Sequence, residues 1–388
     1  MSRPRPTRHS TAEYMRTGTS TTRASARTNT VAQYPAARAE RAALARVIDK
    51  SFTAASLPLL GLPPQWSVLH HWSASLHDRP GHPAVRSVKA MERTSTSGSS
   101  RSDLILFLSI SFIGAWITMI PLWVEGLRRT SAAQGTPRLA ALCMILMMLV
   151  PALTAFGLTA RGRGPRQAVR VLGLARATPW RHEVRSVAVA LTIPLGLTAA
   201  GLTVAALVGW YTPAHLPGPA TVAPLVLSAL LSVPLYFGEE LGWQGYLLPR
   251  LLRYGRTRGL LIGGAIWGAW HVPMTALGGS YPGHSVLLGI PVAVVTAMLL
   301  GTVIATVRLS TGSVWAAVAA HLSLNEFTLP LTREVSGRLV DPLLAGPLSI
   351  STWPVTALAV LGSWLAYRRR AGRDQPLPAV EGRLTASR

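Results

Sequence analysis

The sequence is poor in cysteine, in lysine and in charged residues generally. Cys143 is the single cysteine of 388 residues, which excludes a disulfide framework and a metal site built from cysteine thiolates. Charged residues make up 14% of the chain and hydrophobic residues 49%, a balance that excludes an ordinary soluble protein. Apolar runs long enough to cross a membrane account for this composition.

Arginine carries almost all of the basic charge. The formal net charge is +23, and lysine occurs only at Lys50 and Lys89. The arginines gather in short loops between apolar runs, where basic residues set the orientation of membrane helices. We therefore expect this charge to interact with membrane lipid and not with nucleic acid. By charge alone, the N-terminal segment fits either partner.

The first 103 residues differ in composition from the rest of the chain. They are rich in Arg, Ser, Thr, Ala and Pro and lack a sustained apolar period, as is typical of disordered segments. We predict a disordered basic extension over 1–103, a membrane domain over 104–368 and a cytoplasmic tail over 369–388. Met91 is an alternative start, which would make the residues before it a mis-assigned extension.

Eight apolar runs follow, each near the roughly 20 residues that a helix needs to cross the hydrocarbon. They lie at about 104–124, 139–160, 186–209, 222–248, 259–277, 285–307, 313–330 and 352–367. The sequence therefore predicts an all-α, polytopic transmembrane helical bundle with about eight spans.

The distribution of arginine predicts that both termini are cytoplasmic. Seven arginines lie between Arg161 and Arg185 and four between Arg250 and Arg258, while the loops near 211–220 and 278–284 have neither Arg nor Lys. With an even number of spans, these basic loops fall on one side of the membrane. The chain is thus expected to be a multi-pass integral membrane protein.

Few ionisable residues lie within the predicted spans, and a charge at mid-bilayer costs about 2.5–3.5 kcal/mol or more. The fourth run ends in "YFGEELGWQGYLLPRLL", which contains Glu239 and Glu240. The fifth contains His271 in "IWGAWHVP", and the seventh contains His321 and Asn325 in "HLSLNEF". Such residues are functional candidates by default.

Spacings of four residues place several of these side chains in pairs on one helix face. The pairs are Glu240 with Gln244, Trp267 with His271, and His321 with Asn325. Gln244 and Trp267 are therefore candidate supporting residues. Two carboxylates, two imidazoles and an amide that converge between helices can bind and polarise a water molecule.

These stretches resemble the three motifs of the CPBP family of intramembrane proteases, which includes the CAAX prenyl proteases of the Rce-one type and Abi-like proteins. The family pattern is a Glu-Glu pair with Arg four residues after the second Glu, then an aromatic residue with His four later, then His with Asn or Asp four later. The resemblance spans roughly Leu104 to Tyr367. It departs from the pattern at Gln244, where the family has Arg.

The resemblance implies roles for the candidate catalytic residues. Glu239 and His271 would activate a water that attacks a peptide carbonyl. His321 and Asn325 would stabilise the resulting oxyanion, and Glu240 would support the network. His and Glu side chains are also plausible zinc ligands, but the sequence has no H-E-x-x-H motif, so we favour a site without a catalytic metal, with zinc as the alternative.

Three functions are open at this point. The first is an intramembrane endopeptidase acting on a membrane-associated peptide or protein near the cytoplasmic membrane face, in a bacterial plasma membrane and without a CAAX substrate. The second is a non-catalytic immunity or partner-binding protein of the same fold, which Gln244 favours because it offers hydrogen bonds but no fixed cation. The third is a proton-coupled transporter, against which the apolar outer halves of the spans argue.

Structural roles account for several of the same residues taken singly. Adjacent glutamates at a helix end are often solvated, and a lone intramembrane histidine often packs in the core. Trp243, Trp267 and Trp270 lie near the candidate site but are expected mainly to pack. Arg250 is expected at the membrane interface.

Overall fold

The structure is a computed structural model, described here over residues 101–161, 163–174 and 179–373. The predicted all-α membrane bundle is confirmed, since this part of the chain contains helices and no strand. The predictions for residues 1–100, including the alternative start at Met91, and for residues 374–388 lie outside the described residues. The first helix begins at Arg101 and so takes in the last three residues assigned to the extension.

The helices are numbered here in chain order. Those of the described residues are α1 (Arg101–Val124), α2 (Arg138–Arg161), α3 (Pro165–Val171), α4 (Trp180–Leu207), α5 (Pro219–Glu240), α6 (Leu248–Leu251), α7 (Arg256–Trp270), α8 (Val272–Ala276), α9 (Val286–Thr311), α10 (Val314–Leu322), α11 (Leu329–Glu334) and α12 (Trp353–Arg373). A first π-helical segment, Leu241–Leu247, joins α5 to α6, and a second, Ser323–Thr328, joins α10 to α11. Short 3₁₀ turns at Leu252–Tyr254 and Ile350–Thr352 follow α6 and precede α12.

Six helical runs in the described part of the chain are long and apolar enough to cross a membrane, by length and composition. They are α1, α2, α4, the continuous run Pro219–Tyr254, α9 and Ile350–Arg369. The predicted count of about eight spans and the cytoplasmic placement of both termini are not confirmed.

The two remaining predicted spans are interrupted helices. In the span predicted over 259–277, α7 ends at Trp270 and α8 begins at Val272. Pro273 explains this break, because proline has no amide hydrogen and its ring clashes with the carbonyl four residues earlier. In the span predicted over 313–330, the second π-helical segment interrupts the α-helical pattern after α10.

A glycine and a serine set the turn between α9 and α10. Gly312 has φ of 73° and donates its amide hydrogen to the Arg308 carbonyl, a left-handed conformation that glycine adopts without a Cβ penalty. The next residue, Ser313, accepts a hydrogen bond on Oγ from the Ala316 amide at 3.2 Å and so caps α10. This junction fixes where α10 begins, and with it the height of His321.

Glycines allow α7 and α9 to pack closely. A Cβ atom added to Gly264 would lie 2.6 Å from the Met298 carbonyl oxygen, and one added to Gly268 would lie 2.8 Å from the Val294 Cα. Small residues spaced by four are typical of close helix contacts in membranes, because they let two backbones approach. This contact fixes the C-terminal half of α7 against α9.

We expect Gly264→Ala to destabilise the protein, since overpacking against a backbone typically costs about 1–3 kcal/mol. Gly157→Ala is the matched control, because no heavy atom lies within 4 Å of its added Cβ. There the substitution should be neutral or stabilising, since alanine is favoured over glycine in a helix by about 0.8–1.0 kcal/mol. Thermal unfolding in detergent measures both. Equal shifts of the unfolding midpoint would contradict the close contact.

Candidate active site

The two adjacent glutamates at the end of α5 are bound to two different helices. Successive residues of an α-helix point about 100° apart. Glu239 Oε2 accepts a hydrogen bond from the Trp267 indole Nε1 at 2.9 Å, on α7. Glu240 Oε1 is hydrogen-bonded to His321 Nδ1 at 2.7 Å, on α10. The pair therefore joins α5, α7 and α10 at one buried point.

The Trp267 side chain contacts both imidazoles of the candidate site. Its ring meets the His271 ring edge-on, with centroids 5.2 Å apart, and the His321 ring edge-on at 5.1 Å. The same indole holds Glu239 through its N–H group. Trp267 was expected mainly to pack, and the structure gives it this polar contact as well.

The backbone of α7 fixes the orientation of the His271 ring. His271 Nδ1 lies 2.8 Å from the Trp267 carbonyl oxygen. Because a carbonyl oxygen only accepts, Nδ1 carries the hydrogen of this bond, and Nε2 of the neutral ring is left as an acceptor. Glu239 lies close enough to His271 for electrostatic interaction. A proton acceptor thus stands near the Glu239 carboxylate.

Asn325 and a residue that the sequence analysis missed, Glu326, both reach Tyr236 on α5. The Tyr236 hydroxyl donates to Glu326 Oε1 at 2.8 Å and interacts with the Asn325 side chain, and the Tyr236 ring contacts the His321 ring edge-on at 4.9 Å. Ser228 also donates to Glu326, at 2.6 Å. Asn325 and Glu326 both lie in the second π-helical segment, whose turn is wider than that of an α-helix. The rule that picked out Glu239, an ionisable residue in an apolar run, would also have found Glu326.

Gln244 lies beside Glu240, as its spacing predicted. The Gln244 amide interacts with the Glu240 carboxylate, and both residues line one pocket together with Trp267. This pocket lies between the first π-helical segment, α6, α7 and α9. The structure therefore brings the supporting residue to the carboxylate pair.

The expectation that Arg250 lies at the membrane interface stays a prediction, and the structure shows which contacts the side chain makes. The residue is buried, its Nη1 donates to the Tyr246 carbonyl at 2.7 Å, and its guanidinium carbon lies 3.4 Å from the centroid of the Tyr246 ring. Stacking on an aromatic ring stabilises a buried guanidinium, which accounts for its position. These contacts hold Arg250 at Tyr246 and not at the glutamates.

The remaining tryptophans lie beside the candidate site, since the Trp270 ring contacts the rings of Trp243 and His271 edge-on, with centroids 5.4 Å and 4.8 Å apart. Trp270 donates to the Ser111 carbonyl at 3.0 Å, which ties α7 to α1, while Trp243 lines the pocket beside Glu240. His284 is paired with Asp341 at 2.8 Å, in loops outside the cluster. His284 therefore belongs to a different part of the fold.

No group of three or more His, Cys, Asp or Glu side chains in the described ranges is arranged to hold a metal ion. The candidate residues are engaged with one another and with Trp267. The expectation of a site without a catalytic metal, with zinc as the alternative, stays a prediction.

Comparison with protein families finds one match. Residues 219–327 match the family model described as type II CAAX prenyl endopeptidase Rce1-like. The matched range begins with α5 and ends in the second π-helical segment, and it contains all seven candidate residues from Glu239 to Asn325. The match bears out the predicted resemblance over this range and supports a CAAX-type intramembrane protease in general. No curated protein matches the chain.

Proposed function

We propose that the chain is an intramembrane endopeptidase of a bacterial plasma membrane. Its substrate would be a membrane-associated peptide or protein, cut near the cytoplasmic membrane face. The observation that carries the proposal is the buried cluster in which Trp267 joins Glu239 to two imidazoles. Ionisable groups are costly in an apolar surrounding and gather there for function.

Glu239 and His271 are the proton acceptors in this proposal. A water molecule gives up a proton to this pair while its oxygen bonds to the peptide carbonyl carbon, and the carbonyl oxygen becomes an oxyanion. When the tetrahedral intermediate collapses, the C–N bond breaks and the same proton is delivered to the leaving nitrogen. The products are a carboxylic acid and an amine, as hydrolysis requires.

His321 is a hydrogen-bond donor in this proposal, whereas His271 is a proton acceptor. The reason is that Nδ1 of His321 faces a carboxylate and not a carbonyl. An overall neutral Glu240–His321 pair is favoured in this buried position, since an uncompensated charge is costly there. In such a pair one hydrogen lies between Oε1 and Nδ1 and the other lies on Nε2, whichever partner is charged. His321 Nε2 is therefore a donor, suited to stabilising an oxyanion together with the Asn325 amide.

A non-catalytic immunity or partner-binding protein of the same fold is the second candidate. Gln244 favours it, because the family pattern has Arg at this position and a neutral amide gives the two carboxylates no cation. In that case the wild-type protein would cleave nothing, and Gln244→Arg would gain cleavage.

The test uses the full chain, purified and reconstituted in liposomes with a library of membrane-associated peptides. Mass spectrometry of the products measures cleavage. His271→Ala should lower the cleavage rate by about 10²–10⁴-fold, the usual contribution of a general base. His284→Ala is the matched control, because its imidazole is paired with Asp341 outside the cluster, and it should cleave like wild type.

Two results would count against the proposal. One is wild-type protein that cleaves no peptide of the library. The other is His271→Ala protein that cleaves as fast as the His284→Ala control.

A further inference from the structure

Three buried polar atoms, one of Glu240 and two of residues near it, have no hydrogen-bond partner among the described residues. They are Glu240 Oε2, Trp243 Nε1 and Gln244 Oε1. The three residues are only 1%, 4% and 7% exposed, and all three line the same pocket. Buried polar groups are nearly always hydrogen-bonded in proteins, so this cluster indicates a bound partner.

The rest of the pocket is apolar and narrow. Its walls include Leu247, Leu248, Leu260, Gly263 and Ile304, and neither His271 nor His321 lines it. It leaves about 20 Å³ for the centre of a water molecule, and a cavity needs about 10–15 Å³ to hold one. The pocket is therefore matched in size to a single small polar molecule.

The chemistry of the three atoms selects that molecule. Glu240 Oε2 and Gln244 Oε1 offer acceptors, and Trp243 Nε1 is a donor only. A water molecule donates two hydrogens and accepts others, so it satisfies all three atoms at once. An ammonium ion accepts nothing and would leave the indole N–H unpaired, and an anion would face a carboxylate.

We propose that this pocket holds one ordered water molecule, bound by Glu240, Trp243 and Gln244, and that it is the store from which hydrolysis draws its water. The second part of this proposal rests on the proposed function. Each peptide bond that is cut consumes one water, and the cluster lies in an apolar core through which water passes rarely. Three of the lining residues, Leu248, Leu260 and Ala305, also belong to one packed apolar group.

X-ray radiolytic labelling tests the water site without any need for proteolysis. Radiolysis of a bound water produces hydroxyl radicals in place, which oxidise the side chain beside it, and mass spectrometry of digested protein quantifies the label. Trp243 should be labelled on the order of tenfold faster than Trp270, because a water is held beside Trp243. Trp270 is the internal control, since it is 1% exposed, its indole N–H is bonded to the Ser111 carbonyl, and its ring contacts the Trp243 ring at 5.4 Å, so a difference in labelling reports which of two neighbouring indoles the water touches.

Gln244→Met tests the site further, because methionine keeps the length of the side chain and removes the acceptor oxygen. The labelling of Trp243 should then fall to the level of Trp270. Gln134→Met is the matched control, since Gln134 lies in an exposed loop and its Oε1 accepts from the Thr130 amide at 2.7 Å. Equal labelling of Trp243 and Trp270 in wild type would overturn the water site.

Kinetics test the role of the water. Gln244→Met should lower kcat about tenfold or more and leave KM unchanged, because water supply and not substrate binding is impaired. If Gln244→Met abolishes the labelling of Trp243 but leaves kcat unchanged, the bound water is structural and is not the store for hydrolysis. A wild-type protein that labels at Trp243 and cleaves nothing would overturn the proposed function, and the store with it, while the water site stands.

Discussion

Glu239→Gln is expected to lower peptide cleavage by about 10⁴-fold, at the upper end of what a general base contributes. The amide oxygen of glutamine still accepts the hydrogen bond from Trp267 Nε1, so the fold should be kept. The amide cannot take a proton from water, however. Glu240 is not expected to replace the lost carboxylate, because its Oε1 is bound to His321 and it lines a pocket that His271 does not reach.

The measurement is kcat/KM on the peptide that the library identifies, with folding checked by thermal unfolding in the same detergent. Glu334→Gln is the matched control, since Glu334 is partly exposed and accepts from Thr221 at 3.1 Å, away from the cluster. The control should cleave like wild type. If kcat/KM of the Glu239→Gln protein is within tenfold of the wild-type value, another group must take the proton.

Trp267 connects this prediction to the architecture of α7. Its indole holds Glu239, and its carbonyl oxygen orients the His271 ring. One residue thus positions both proton acceptors, and the close packing of Gly264 and Gly268 on α9 positions that residue in turn. We therefore expect substitutions at these glycines to reduce activity even though they touch none of the reacting groups.

Much of this arrangement could be predicted from the sequence because carboxylates and imidazoles are rare in apolar runs. That rule found Glu239, His271 and His321, and the spacing of four residues correctly placed Gln244 beside Glu240. It could not predict which partner each glutamate takes, because that depends on how α5, α7 and α10 pack. Nor could it show that the Trp267 indole binds a carboxylate.

The number of spans stays a prediction, because six runs in the described part of the chain have the length and composition of a span and two of the predicted spans do not. The run over 259–277 contains His271 and is broken at Pro273, and the run over 313–330 contains His321, Asn325 and Glu326 together with a π-helical segment. Arg250 shows a related limit. Its charge predicted a place at the membrane interface, but the sequence did not predict that the guanidinium stacks on Tyr246 and is buried.

The proposed mechanism gives the two histidines different roles because their Nδ1 atoms have different partners. A carbonyl oxygen binds Nδ1 of His271 and leaves Nε2 as an acceptor, while a carboxyl group binds Nδ1 of His321 and leaves Nε2 as a donor in a neutral pair. A base and an oxyanion donor can thus be built from the same residue type. The Trp267 ring lies in contact with both imidazoles.

The Glu240–His321 pair should also dominate the stability of the cluster. Removing one partner of a buried ionic pair leaves an uncompensated group and typically costs about 3–5 kcal/mol of the free energy of unfolding. We expect this loss for His321→Leu and for Glu240→Leu taken separately. The double substitution should recover most of it, because an apolar pair of similar volume is often neutral or stabilising in a buried position.

A double-mutant cycle in detergent, followed by thermal or denaturant unfolding, measures the coupling energy between the two residues. The His284–Asp341 pair provides a control cycle, since its nitrogen and oxygen atoms lie 2.8 Å apart, against 2.7 Å in the buried pair, but its side chains are 27% and 35% exposed. Exposed pairs contribute about 0–1 kcal/mol, so its coupling should be small. If the losses in free energy of unfolding simply add in the Glu240→Leu/His321→Leu protein, the two residues stabilise the fold independently. The neutral pair, from which we infer that His321 Nε2 is a donor, would then lose its support.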